Sequence, residues 1–209
     1  MVRLLGGAVF ATLIGVAVGT GLDTPAPAGP GGGEDICRTS HVSHSVPYPH
    51  DPGGPIGLHA PRPLPAKARC AVCGMFPARH AHWAAQLIYE DGATHYVDSP
   101  AELLHFEANR ARFDPDRAKD VVAARYLSDY RGAGWVPVEQ AVLVIGADVP
   151  GPMRVPDLPA FANAAAAREF IRAHGGRMIG YGAEAAAQLD ALRSAPRAPG
   201  AQAAARAGV

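Results

Sequence analysis

Glycine and proline set the limits on what this chain can fold into: 24 glycines and 20 prolines are crowded toward its two ends. Glycine raises the entropic cost of ordering a backbone, and proline withdraws an N–H that helices and sheets need. The stretch from Pro25 to Gly33 and the Ala, Pro, Arg and Gly tail from Ser194 onward are the densest cases. Regular structure is therefore expected in the middle, from about Ala66. The chain has 209 residues, 48% of them hydrophobic, enough for one ordinary domain or two small ones.

Lys plus Arg and Asp plus Glu both number 19, and no block of like charge stands out. This balance leaves no electrostatic footprint for nucleic acid or an anionic membrane surface. The start of the chain is different. Arg3 precedes the run from Leu4 to Leu22, which carries no charge and reads as an export signal. Its length falls just short of the roughly 20 apolar residues that span a bilayer. Residues 1–22 are thus either a cleaved signal peptide, with a small-residue site around Val18 to Gly21, or an uncleaved membrane anchor. Either way the expected location is periplasmic or otherwise extracytoplasmic. Cys37 lies too far past the run to be a lipidation site.

Residues 23–65 lack any apolar period of 2 or 3.6 and read as a disordered linker. They hold Cys37, His41, His44, His50 and His59, which are either polar filler or a weak metal-collecting arm.

The folded part divides into two halves of similar pattern. In the first, residues 66–131, Trp83 to Tyr89 is strand-like, Asp91-Gly92 signals a hairpin, and Thr94 to Val97 is a second strand. Ser99, Pro100 and Glu102 then open a helix, as N-cap, first helical residue and capping-box partner. That helix is expected to run to about Arg112, and Val121 to Tyr130 follows as an extended segment. In the second half, residues 132–193, Val136 to Gly146 and Met153 to Phe161 are expected strands on either side of a Pro150-Gly151-Pro152 turn. Asn163 caps a helix over Ala164 to His174, Gly175-Gly176 ends it, and Met178 to Tyr181 is a last strand. A short helix is expected through Leu192, and residues 194–209 form a disordered tail. The fold class is α+β, built from two small ββαβ units.

Cys70-Ala71-Val72-Cys73-Gly74-Met75 is the local sequence that needs a chemical explanation. Two thiols separated by two residues can grip one metal ion or each other. Gly74 lets the backbone turn so that the Met75 thioether converges on the same point. Thiolate plus thioether is a soft set that favours Cu(I) over zinc. A disulfide or a thiol-exchange pair is the competing reading, although Phe76-Pro77 is a poor start for the helix that lowers a thiol pKa in redox enzymes.

Cys73-Gly74-Met75, the hairpin at Asp91-Gly92, Tyr96-Val97-Asp98-Ser99, the Leu-Leu-x-Phe stretch at 103 to 106, Gly151-Pro152-Met153, and Ala167-x-x-Phe170 before Gly175-Gly176 stand in the order found in the NosL family. The chain resembles that family over roughly residues 66 to 190. The resemblance implies a copper-binding accessory protein for nitrous oxide reductase, held outside the cytoplasmic membrane, with two ββαβ domains related to part of organomercurial lyase. It places Cys73 and Met75 in the metal site, with Met153 as a candidate thioether ligand. Cys70 extends the motif. Asp98 either supplies an oxygen ligand or only caps the helix that follows, the cap being the reading its position supports. His95 is an imidazole candidate that also reads as an ordinary strand residue.

The expected function is copper(I) binding and delivery to an apo copper enzyme or its assembly machinery. No Ser-His-Asp order, phosphate-binding loop or carboxylate pair stands in a context that supports catalysis, so the chain is not read as an enzyme. The alternatives are a thiol-disulfide redox protein using Cys70 and Cys73, a lyase acting on organomercury, and a metal-binding module that transfers nothing.

Overall fold

The structure, a computed structural model, describes residues 46–132 and 134–195. The apolar run at 4–22, Cys37, His41, His44 and the tail from 196 onward lie outside the described residues.

The first unit forms around its hairpin. Strands β1 (Ala85–Tyr89) and β2 (Thr94–Val97) pair antiparallel, with Ala85 opposite Val97 and Ile88 opposite Thr94. Gly92 turns between them at φ 80°, and a Cβ there would lie 2.7 Å from the side chains of His50 and Leu58. Both the backbone and the space therefore demand glycine. Ser99 caps helix α1 (Pro100–Ala108), its Oγ accepting from the Glu102 N–H at 3.2 Å. The helix stops short of Arg112 because Asn109 adopts φ −131° and its side-chain amide donates to the His105 carbonyl. Asparagine competes with the helical ladder in this way. A single further turn, α2 (Arg110–Phe113), follows before β3 (Val122–Ser128) returns antiparallel to β1.

The expected strand from Val136 to Gly146 is two strands. β4 (Trp135–Pro137) pairs with β3 and belongs to the first sheet, while β5 (Val142–Ile145) starts the second. Pro137 marks the break, since its carbonyl accepts from the N–H groups of both Gln140 and Ala141 in a turn. The expected strand from Met153 to Phe161 shrinks to β6 (Ala160–Phe161). Prolines at 150, 152, 156 and 159 remove the donors that a longer ladder would need. Helix α3 (Ala164–His174) begins at the predicted Asn163, whose side chain accepts from the Ala166 N–H, and β7 (Arg177–Ile179) follows. Helix α4 (Ala183–Ser194) packs against α1.

The sheet orders are β2-β1-β3-β4 and β6-β5-β7. Each unit thus runs strand, strand, helix, strand, with its first strand in the middle, and the two ββαβ units expected from the sequence are present. Alternation along the strands distributes the core. Leu87 and Tyr89 of β1 join Leu103 and Phe106 of α1, α4's Leu189, and Leu143 and Ile145 of β5 in one cluster. Val144, facing the other way, packs with Phe161 and α3 in a smaller one.

β1 is buried along its whole length because residues 46–65, read from the sequence as part of a linker, pack on the first sheet. Gln86 exchanges two hydrogen bonds with the backbone of Arg62, and the Tyr96 and Tyr126 hydroxyls donate to the carbonyls of Pro63 and His59. Tyr48 forms a bridge with Thr94 at the sheet edge. No helix among the described residues is long and apolar enough to cross a membrane.

Candidate metal centre

The Cys70 loop is closed by its own backbone. The Cys70 N–H donates to the Met75 carbonyl at 2.7 Å, and the Gly74 N–H donates to the Cys70 carbonyl at 3.0 Å. Gly74 turns the loop at φ 73°, in the left-handed region that favours glycine. The Ala71 N–H donates to the Tyr96 carbonyl, which fixes the loop to the end of β2. Two residues beyond Tyr96, β2 delivers Asp98.

The Cys70 thiol donates to Asp98 Oδ1 at 3.3 Å and the Cys73 thiol to Asp98 Oδ2 at 3.5 Å. One ligand atom from each of the three residues lies within 4.8 Å of the others. A metal–thiolate bond is about 2.3 Å, so two sulfurs sharing one ion stand up to roughly 4.6 Å apart. The group can therefore hold a single ion with small side-chain adjustments, and its donors are two soft sulfurs and one hard oxygen. Cys70 and Asp98 are fully buried while Cys73 is partly exposed, so the site opens on the Cys73 side.

Ser99, not Asp98, accepts from the first turn of α1, and the cap reading of Asp98 is corrected accordingly. Two residues able to cap stand side by side here, and the one not used for the helix is free to face the thiols. The Cys70 thiol is held well above the ordinary thiol range, first by its hydrogen bonding with Cys73, then by burial and the Asp98 charge. A metal ion entering the site has to displace thiol protons. The rim is cationic: the Phe76 ring lies 3.8 Å from the Arg69 guanidinium and 5.0 Å from that of Arg79. Arg69 also donates to the Gly74 carbonyl, and no acidic residue stands in the sequence between Asp51 and Glu90.

The start of α1 is held from below by Asp157, a residue that no local motif singles out. Asp157 is fully buried, and its Oδ1 accepts from the N–H groups of Leu158 and Ala101 at 2.8 and 3.2 Å. Its Oδ2 faces Arg193 of α4 at 3.6 Å, and the same guanidinium lies 3.8 Å from Glu102. Burial pushes the Asp157 carboxyl up to about 6. Burial and then the nearby Asp98 charge push Glu102 up to about 7. Gly151 completes the fit, because a Cβ on it would meet the Asp157 side chain at 2.5 Å. This interaction ties the loop that carries Met153 to the helix that follows Asp98.

Of the residues singled out from the sequence, the structure brings Cys70, Cys73 and Asp98 together. Met75 closes the loop through its carbonyl and has a partly buried side chain. Met153 stands on the loop between β5 and β6, 43% exposed. His95 is buried and points away into the core, its Nε2 2.7 Å from Asp114, which also accepts from the Tyr89 hydroxyl. The described histidines of the N-terminal segment hold structure. Arg62 donates to His50 Nδ1, and His59 Nε2 donates to the Glu90 carbonyl.

The NosL family profile matches residues 61–185, which include the Cys70 loop and both ββαβ units. Among solved structures, the chain is similar to the crystal structure of the copper chaperone NosL from Shewanella denitrificans, at 18% identity and a TM-score of 0.46, over 58% of this chain and 92% of that one. It is also similar to the solution NMR structure of the apo-NosL protein from Achromobacter cycloclastes, at 19% identity and a TM-score of 0.35, over 56% and 93%. No curated protein matches it.

Proposed function

The chain belongs to the NosL family, and from that premise we propose that it is an extracytoplasmic copper(I) carrier that delivers its ion to a copper enzyme or to that enzyme's assembly machinery. Nitrous oxide reductase is the recipient that the family resemblance implies. The observation that carries the reading is the convergence of the Cys70 and Cys73 thiols on Asp98 at one open-sided site. Met75 and Met153 are the proposed thioether donors, Met153 from a loop tied by Asp157 to the same helix start. The run at 4–22 exports the chain and either leaves it or anchors it to the membrane.

Copper is cargo in this reading. A soft ion held by two sulfurs accepts a further soft ligand without geometric strain, so a partner's Cys, His or Met enters from the Cys73 side before the donor thiolates leave. Asp98 orients both thiols and takes up hydrogen bonds that would otherwise be lost on burial. The test is anaerobic competition for Cu(I) against a chromogenic chelator, using the reduced chain beside Cys73→Ser, Met75→Leu and Met153→Leu. Stoichiometric competition weakened by these changes supports the proposal. Failure of the unaltered chain to compete removes it.

The position of Asp98 also favours a second reading. A carboxyl held against two thiols is the arrangement a carbon–mercury lyase needs, with sulfur binding the metal and the acid protonating carbon. Release of benzene from phenylmercury, lost in Asp98→Ala, would select this reading over a carrier.

A further inference from the structure

We infer that the site is gated by thiol oxidation: a Cys70–Cys73 disulfide, entered through Cys73, abolishes copper binding until it is reduced. The inference rests on the carrier reading and concerns how that same site is switched.

The two thiols are free, lie on one loop three residues apart, and meet at one carboxylate. They differ in access. Cys70 is buried to 0% exposure, whereas Cys73 reaches the surface. An incoming disulfide can therefore meet only the Cys73 sulfur. Attack by Cys73 on a small-molecule disulfide forms a mixed disulfide and releases one thiol. Cys70, already beside it, passes its proton to the Asp98 carboxylate that it is hydrogen-bonded to, attacks the Cys73 sulfur, forms the internal disulfide and releases the second thiol, which takes up the proton. The protein pair loses two electrons and two protons, and the oxidant becomes two thiols. The order follows from burial and is the reverse of a pair whose N-terminal cysteine is exposed.

The closed pair retains no thiolate. Of the three converging groups only Asp98 keeps a full ligand charge, a hard donor, and the proposed Met75 and Met153 thioethers are neutral donors that do not make up for the loss of two thiolates. Bound copper, by occupying both sulfurs, protects them in turn. The cationic rim of Arg69 and Arg79 favours approach of an anionic disulfide.

The test uses the full chain carrying Cys37→Ser, so that only this pair reacts, and oxidised glutathione as the oxidant. The expected result is loss of two hydrogens by intact mass, loss of Cu(I) competition, and return of both with reductant. Cys70→Ser should accumulate a glutathione adduct on Cys73, and Cys73→Ser should leave Cys70 unmodified. Equal adduct formation in the two single variants overturns the order of attack. Oxidised protein that still competes for Cu(I) overturns the gate. In the chain with Cys37 restored, a Cys37–Cys73 bond in place of the internal pair overturns it as well. Failure of the reduced chain to bind Cu(I) speaks against the carrier reading instead, because the thiol masses report independently.

Discussion

The two ββαβ units share an order of elements and a sheet arrangement, yet among the described residues only the first brings two thiols and a carboxylate together. β2 runs into α1 through Asp98 and the cap Ser99, and β6 runs into α3 through Ala162 and the cap Asn163. Both caps accept a hydrogen bond from the third residue beyond them. The residue before the cap is where the units part: a buried aspartate on two thiols in the first, an alanine in the second. The loops entering the two central strands differ in the same way, Cys70 to Met75 against the turn at Pro137 to Ala141. The cap belongs to the fold and the residue beside it to the proposed site, so the pattern of elements can be repeated without repeating the site.

That comparison can be broken most severely by making the first unit resemble the second. Cys70→Ala and Cys73→Ala combined with Asp98→Ala should abolish Cu(I) binding while far-UV circular dichroism keeps the content of helix and strand. Next in size is packing. Phe106 is fully buried on α1 whereas Phe170 on α3 is only partly so. Phe106→Ala should cost about 3–5 kcal/mol in denaturant unfolding, and Phe170→Ala roughly half that or less.

Asp157, which holds the start of α1, should make the stability of the chain depend on pH. Its carboxyl rises from an ordinary 3.8 to about 6 in the folded chain, so the folded state binds more protons in that window. Stability should fall as pH rises from about 4 to 6, by on the order of 3 kcal/mol from Asp157, and Glu102 should extend the fall towards pH 7. Asp157→Asn should remove the lower part of this slope and leave the part due to Glu102. The smallest effect is expected at the caps, where Ser99→Ala and Asn163→Ala should each cost about 1 kcal/mol. Only the Ser99 change should also weaken copper binding, because it loosens the turn that holds Asp98.

Much of this was readable in the residues. Asp91-Gly92, the caps Ser99 and Asn163, and the glycines at 175 and 176 act locally, and local signals place the elements well. Pro137 in mid-strand was a signal that the apolar run around it obscured, so β4 and β5 read as one strand. Cys70 and Cys73 stood out because a CxxC needs a reason. Asp98 was ambiguous because an aspartate beside a serine before a helix has two uses, and only the position of a loop 25 residues away decides between them. Asp157 had no local signature at all. Its role comes from Ala101 and Arg193, both distant in sequence, meeting around it beside Gly151. The packing of residues 46–65 was hidden for a similar reason: Arg62 and Gln86 hold each other through backbone groups that composition does not reveal.

The most direct measurement of the central claim is X-ray absorption at the copper edge of the Cu(I)-loaded reduced chain and of its Asp98→Ala and Cys73→Ser variants. A shell dominated by at least two sulfur scatterers is expected, with one sulfur fewer in Cys73→Ser and the sulfur count unchanged in Asp98→Ala. A shell of nitrogen and oxygen without sulfur, or one indifferent to Cys73, would contradict that claim.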